Sequence, residues 1–213
     1  MKAAIALLGV AFLTVCMGAA PASAQTPAPA SIHAHDGFFA RLQLGIGSTT
    51  LDIEGTSTSV QSSGGALSLA LGGAVTPNII LFGELFGSGV DHVVLTGPVA
   101  GGGLAVVDTS AMVGALGMGG AYCFMPVNAC LSLTLGAASV SFSGNFPDGS
   151  KKKSTDNALV VKAGISKEWW ISNQFALGLG AHLFATGAMQ GGTDDVGAWR
   201  AKALALLASA TFN

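Results

Sequence analysis

Along most of the chain, apolar residues alternate with small or polar ones. Leu67, Leu69 and Leu71 alternate with Ser68, Ala70 and Gly72, and Leu131, Leu133 and Leu135 alternate with Ser132, Thr134 and Gly136. Phe175, Leu177, Leu179, Ala181 and Leu183 stand between Ala176, Gly178, Gly180 and His182, and Leu42, Leu44 and Ile46 between Arg41, Gln43, Gly45 and Gly47. A period of two means a β-strand with one greasy face and one small or polar face. The most apolar stretches, 66–75 and 131–140, are about ten residues long and bounded by turn formers. A tilted strand needs that length to cross a bilayer, whereas a helix needs about twenty apolar residues.

The connections alternate as well. Thr76-Pro77-Asn78, Met125-Pro126-Val127-Asn128 and Ile171-Ser172-Asn173 are short, with Pro and Asn supplying turn geometry. Between them lie stretches 54–64, 91–108, 144–157 and 190–197, longer and rich in Gly, Ser, Thr and Asp. Three short and four long connections separate eight strands, expected at 38–53, 65–75, 79–90, 109–123, 130–143, 158–168, 174–188 and 198–212. The fold class this predicts is all-β: a transmembrane antiparallel up-and-down β-barrel with short periplasmic turns and longer extracellular loops. Closure pairs every backbone group that hydrocarbon would otherwise leave unsatisfied. At eight strands the interior is filled by side chains, with glycine on the inner face helping the wall to close.

Composition turns the alternation into a membrane argument. Half of the residues are hydrophobic and only 9% are charged, too few charges to cover a soluble surface. A soluble sandwich or lipocalin-like barrel would have to point Leu67, Leu69 and Leu71 inward and its Ser/Gly face outward. The net charge of -2 gives no basic excess for nucleic acid. Residues 1–24 read as a secretory signal peptide: Lys2, then an apolar run, then Ala22-Ser23-Ala24 as the cleavage site. The competing reading, a lipidated Cys16, is disfavoured by the branched Val15 before it. Residues 25–36 read as a flexible segment with alternating prolines, and 37–213 as the barrel. Tyr122, Phe124, Trp169, Trp170, Phe175 and Phe212 fall beside short turns or the C-terminus and Trp199 beside the last long loop, as the aromatic girdles of two interfaces would.

The turn-and-loop alternation, the signal segment and a last strand ending Thr211-Phe212-Asn213 together resemble the small outer-membrane barrels of the OmpA transmembrane-domain and OmpX type. The resemblance implies location in a Gram-negative outer membrane, contact with lipid and lipopolysaccharide, and recognition of the last strand by the barrel-assembly machinery through an aromatic residue. Here that residue is Phe212, penultimate rather than final.

The candidate chemistry is sparse. Glu84, Lys162 and His182 fall near strand middles; a charge facing lipid costs about 2–4 kcal/mol at mid-membrane, so all three are expected to point inward, with Glu84 and Lys162 as an ion pair. Phe82 and Phe86 share the face of Glu84, a conflict that a bulge would resolve. Cys123 and Cys130 flank a short turn and are disulfide candidates if they are cross-strand partners, the alternative being two buried thiols. Arg200 and Lys202 share the parity of Leu204 and Leu206, which puts them on the outer face near the extracellular rim. There, with Lys151, Lys152 and Lys153 of the third loop, they are candidates for contact with lipopolysaccharide phosphates. His33, His35 and Asp36 do not specify a metal site. No cofactor and no nucleic acid is expected, and the chain is expected to act as a monomer.

These residues predict a non-enzymatic structural or surface-interaction protein whose long loops face the outside. The alternatives are a narrow, porin-like channel and a lipid A-modifying barrel enzyme. The enzyme needs a nucleophilic Ser with His and an acid, and no serine neighbours His182 on its own strand face.

Overall fold

The computed structural model describes residues 37–53, 59–99, 103–145, 149, 151–190 and 198–213, with 91–99 and 103–109 described by their backbone. The segments read as signal peptide and flexible spacer, together with His33, His35 and Asp36, lie outside the described residues. Among the described residues nine strands follow one another: β1 (Phe38–Ile53), β2 (Ser59–Thr76), β3 (Ile79–Val99), β4 (Gly103–Phe124), β5 (Ala129–Gly144), β6 (Lys152–Ser154), β7 (Ala158–Trp170), β8 (Phe175–Thr186) and β9 (Trp199–Phe212). Each wall strand pairs antiparallel with its sequence neighbours, and β1 pairs with β9 from Ala40↔Phe212 to Ile53↔Trp199, which closes an eight-stranded barrel. Among the described residues no helix is long and apolar enough to cross a membrane.

The short strand β6 is the ninth. It pairs with β5 through Ser141↔Ser154 to Ser143↔Lys152, just above the point where β7 takes over at Ala138↔Ala158. Thr155 bridges the break: its N–H donates to the Val140 carbonyl (3.0 Å) and its Oγ1 accepts from the Val140 N–H (3.0 Å). Thus β6 and β7 are one wall strand interrupted by a kink, and Lys152 and Lys153 sit in strand rather than in free loop.

A second difference concerns 91–108, expected as a loop. β3 and β4 continue their ladder from Val93↔Thr109 to Val99↔Gly103, after a register shift at Val90/Val93. β2 stops pairing with β3 at Ala66↔Ser88 and β5 stops pairing with β4 at Thr109↔Gly144. The β3–β4 ribbon therefore runs on beyond both neighbours. Turn residues marked a break in the sequence, but hairpin pairing carried on through them.

Alternation sorts the side chains as a lipid-facing wall demands. Leu67, Leu69, Leu71, Leu131, Leu133, Leu135, Leu204 and Leu206 are exposed on the outside, while Ser68, Ala70, Thr134, Ala203 and Ala205 are buried in the lumen. The lumen is filled. Toward the loop end Leu51, Phe86, Val140, Phe142, Phe184, Met189 and Trp199 form one cluster, and toward the turn end Phe39, Ile80, Phe82, Met125 and the two cysteines form another. Trp199, expected in an interface girdle, is instead 2% exposed and packs on Phe142 at 5.2 Å between ring centroids. Its odd position shares a face with Ala201, Ala203 and Ala205, whose small side chains leave room for one large one. The turn-end girdle does face outward at Phe38, Tyr122, Phe124, Trp169 and Phe212.

No bulge lies at Glu84; the β2–β3 ladder shifts at Ala74/Thr76 and the β3–β4 ladder at Val90/Val93. Phe82, Glu84 and Phe86 all point inward, because β4 opposite them is lined by small residues. A Cβ at Gly119 would approach Thr134 Oγ1 to 2.6 Å and the Phe82 ring to 2.8 Å, so glycine there makes the space for the aromatic. At the turn end Cys123 and Cys130 are directly opposed and joined by a disulfide, with Cα atoms 4.0 Å apart. Asn128 takes φ 48° in the enclosed turn, a left-handed conformation Asn tolerates. In the chain-entropy view such a short closure contributes about 2 kcal/mol.

Two outward positions test the wall. Leu69→Arg, in the apolar belt, is expected to destabilise the folded barrel by about 2–4 kcal/mol. Gln61→Arg, on the same outer face of β2 toward the loops, is expected to change little. Urea unfolding in lipid vesicles reads both.

Candidate functional site

The described chemistry falls into two places: a polar layer across the lumen and a polar patch outside, above the apolar belt. In the lumen, Glu84 on β3 is 4% exposed and pairs with Lys162 on β7, whose ammonium reaches Oε1. The same oxygen accepts from Ser68 Oγ of β2 at 2.5 Å, and Oε2 accepts from Thr134 Oγ1 of β5 at 2.7 Å. Four strands thus contribute to one carboxylate. The Lys162 ammonium also lies 4.8 Å from the Phe86 ring centroid, so the aromatic neighbour of Glu84 serves its partner cation.

A second buried pair lies nearer the turn end. Arg41 Nη2 of β1 donates to Glu168 Oε1 of β7 at 2.6 Å, and Thr211 Oγ1 of β9 donates to the same oxygen at 2.7 Å. Arg41 Nε donates to Thr211 Oγ1 at 3.2 Å, which closes a triangle, and the guanidinium lies 5.0 Å from the Phe39 ring centroid. Sequence reasoning did not pair these residues. Parity carried part of the signal, since Arg41 opposes Leu42 in facing and Glu168 shares the face of Lys162. That β1 and β7 meet across the lumen is set by closure alone.

His182 on β8 is 3% exposed, and neither ring nitrogen has a hydrogen-bond partner among the described residues. It lines a small cavity with Arg41, Gln43, Ser132, Lys162 and Ser166. The neighbouring strands therefore bring serines beside His182 that its own strand face lacks, yet no serine hydroxyl bonds to the ring. Among the described residues no cluster of three His, Cys, Asp or Glu is placed to hold a metal.

Outside the barrel, register brings Thr50 of β1 opposite both Gln61 of β2 and Lys202 of β9, with Asp52 opposite Arg200. Ser48, one step lower, accepts a hydrogen bond from Gln61 Nε2 at 3.0 Å, and Lys202 Nζ lies 3.1 Å from Asp52. Arg200 and Lys202 face outward beyond Leu204 and Leu206. Of the three consecutive lysines, Lys151 and Lys152 are exposed, whereas Lys153 is half-buried opposite the inward-facing Phe142.

The ion pair in the lumen yields a stability prediction. Lys162→Met leaves the Glu84 carboxylate buried without its cation and is expected to cost about 3–5 kcal/mol. Adding Glu84→Gln to that variant is expected to recover much of the loss, because no buried charge then remains. Urea midpoints of the single and double variants in vesicles check both.

No protein-family model matches the sequence, and no curated protein does. Solved structures do match. Neisserial surface protein A superposes with a TM-score of 0.53 at 10% identity, covering 83% of this chain and 96% of that one. Ail, the attachment invasion locus protein of Yersinia pestis, superposes with a TM-score of 0.52 at 13% identity, covering 83% of this chain and 99% of that one. The complex of Ail with the heparin analogue sucrose octasulfate gives a TM-score of 0.50 at 12% identity over the same shares. At such identities the likeness concerns the fold: this chain has the closed eight-stranded antiparallel β-barrel fold that these proteins share.

Proposed function

We propose that the protein is a non-catalytic, non-conducting outer-membrane wall that presents an interaction surface at its loop end. The observation that carries this reading is the filled lumen. Two ion pairs and two apolar clusters occupy the interior from turn end to loop end, and Trp199, Phe142 and Met189 stand at the loop-end side. A channel needs a continuous polar path, and side chains fill this one. Catalysis of the acyl-transfer kind needs a hydroxyl bonded to its base, and the buried His182 bonds to none among the described residues.

With the interior closed, what is left to meet a partner is the outside. Arg200 and Lys202 face outward where the apolar belt ends, amid the hydroxyls of Ser48, Thr50 and Ser63. Lys151 and Lys152 lie exposed at the same end. Cations and hydroxyls at the level of the outer leaflet's headgroups suit the phosphates and sugars of lipopolysaccharide. The partner we assign to this patch is therefore lipopolysaccharide. Ail, a barrel of the same fold, is named for attachment and was solved with the heparin analogue sucrose octasulfate, and that supports the reading. The last strand, with Phe212 exposed at its end, is the segment we assign to the assembly machinery. The barrel is read as a monomer.

Planar-bilayer recordings of the folded protein are expected to show no discrete conductance steps; steady single-channel openings would replace this reading with a pore. Vesicles containing lipopolysaccharide are expected to raise the thermal midpoint of the wild-type barrel above that in phosphatidylcholine. The Arg200→Glu, Lys202→Glu double variant, or high salt, is expected to remove that rise.

A further inference from the structure

Among the buried polar groups that lack a partner among the described residues, His182 stands beside a polar cavity. His182 is 3% exposed and both its nitrogens lack a partner among the described residues, although a buried neutral imidazole carries one donor and one acceptor. Leaving such groups unbonded is costly, and native interiors nearly always satisfy them. Beside the ring is a cavity of about 10 Å³, lined by polar groups of four strands: Arg41 and Gln43 from β1, Ser132 from β5, Lys162 and Ser166 from β7, and His182 from β8.

The sequence makes this space with glycine. A Cβ at Gly164, which lines the cavity, would come 2.7 Å from Ser132 Oγ and 3.6 Å from the His182 Cβ. On the next strand a Cβ at Gly180 would come 3.4 Å from Gln43 Nε2 and 3.3 Å from the Ser166 Cβ. The inward face of the β7–β8 seam is thus relieved of side chains next to a histidine that needs a partner.

We propose that this cavity is a built site for one structural water molecule, bonded to a ring nitrogen of His182 and to the hydroxyl and amide groups around it. The volume is about that of a single water site, and the polar partners exceed the two to four that a buried water requires. Charge selects water over a small anion. The cavity is lined by two cations, Arg41 and Lys162, but each is already paired, with Glu168 and with Glu84. The four charges sum to zero, so a halide would leave a net buried negative charge, whereas water adds none. The water gives His182 a partner in the space between the Arg41–Glu168–Thr211 triangle and the Glu84–Lys162 centre, whose Arg41 and Lys162 line the same cavity. One enclosed water is not a file of waters, so the site is compatible with the non-conducting wall on which it rests.

A crystal structure of the folded barrel that resolves ordered solvent tests the site, with a second crystal grown in bromide. A single peak within hydrogen-bonding distance of a His182 nitrogen and of Gln43, Ser132 or Ser166, with no anomalous signal in bromide, is the expected result. A dry cavity overturns the proposal, and a bromide peak overturns it in favour of an anion. Gly164→Ala is expected to remove the peak while the barrel keeps its faster-migrating band on unboiled gels; a peak that survives the methyl group overturns the assignment. Should that variant fail to fold, the wild-type density decides alone. A dry cavity in a protein without conductance would sink this inference and leave the packed wall standing, while conductance steps would sink the packed wall itself.

Discussion

Pairing of the first strand with the last is the constraint on which everything else in this molecule rests. In hydrocarbon no water is present to bond a free edge, and each unsatisfied backbone group costs several kcal/mol. The ladder from Ala40↔Phe212 to Ile53↔Trp199 removes that edge completely within the belt. Once the ring is closed, every strand has one face toward lipid and one toward the lumen, and the two faces obey opposite rules. Leucine is favoured outside, where a soluble protein would hide it. Charge is confined to the interior or to the rims.

Closure at eight strands also decides what the interior can be. So narrow a ring leaves no aqueous channel once its inward side chains are in place. Large residues fit beside small ones, as Phe82 opposite Gly119 on β4 and Trp199 next to Ala201 and Ala203 on its own strand show. Buried charge is admitted only with its counter-charge. Glu84 and Lys162 meet near the middle, Arg41 and Glu168 nearer the turns, and hydroxyls of Ser68, Thr134 and Thr211 take up further hydrogen bonds. Both pairs draw a member from β7, where Lys162 and Glu168 lie six positions apart on one face. The function assigned to the molecule follows from this filling, since an interior without a path leaves the loop end as the surface for partners.

The outer face carries a complementary record. Below the rim it is Leu, Ile, Val and Met; at the turn end it is Phe, Tyr and Trp; above the belt on β1, β2 and β9 it turns to Ser, Thr, Gln, Arg and Lys. The change from Ile46 to Ser48 and from Leu204 to Lys202 on adjoining strands marks the level at which hydrocarbon gives way to headgroups.

The sequence by itself determined the strands, their parity and their number around the wall, because period-two alternation and Pro/Asn turns are local and each is decided within a few residues. The inward facing of Glu84, Lys162 and His182 and the outward facing of Arg200 and Lys202 were legible for the same reason, as parity is a property of one strand. Contacts between strands distant in sequence were a different matter. That Arg41 finds Glu168, that Phe82 and Phe86 fit beside Glu84 without a bulge, that Trp199 turns into the lumen, and that Ser132 and Ser166 come beside His182 all depend on which strands face each other across the closed ring and on the volumes opposite. The β3–β4 ribbon belongs to the same class, since glycine-rich sequence reads as loop until a paired partner supplies the ladder. Tertiary structure decided these points because pairing and closure fix distances between residues on different strands, 127 positions apart for Arg41 and Glu168, and no local pattern carries that information.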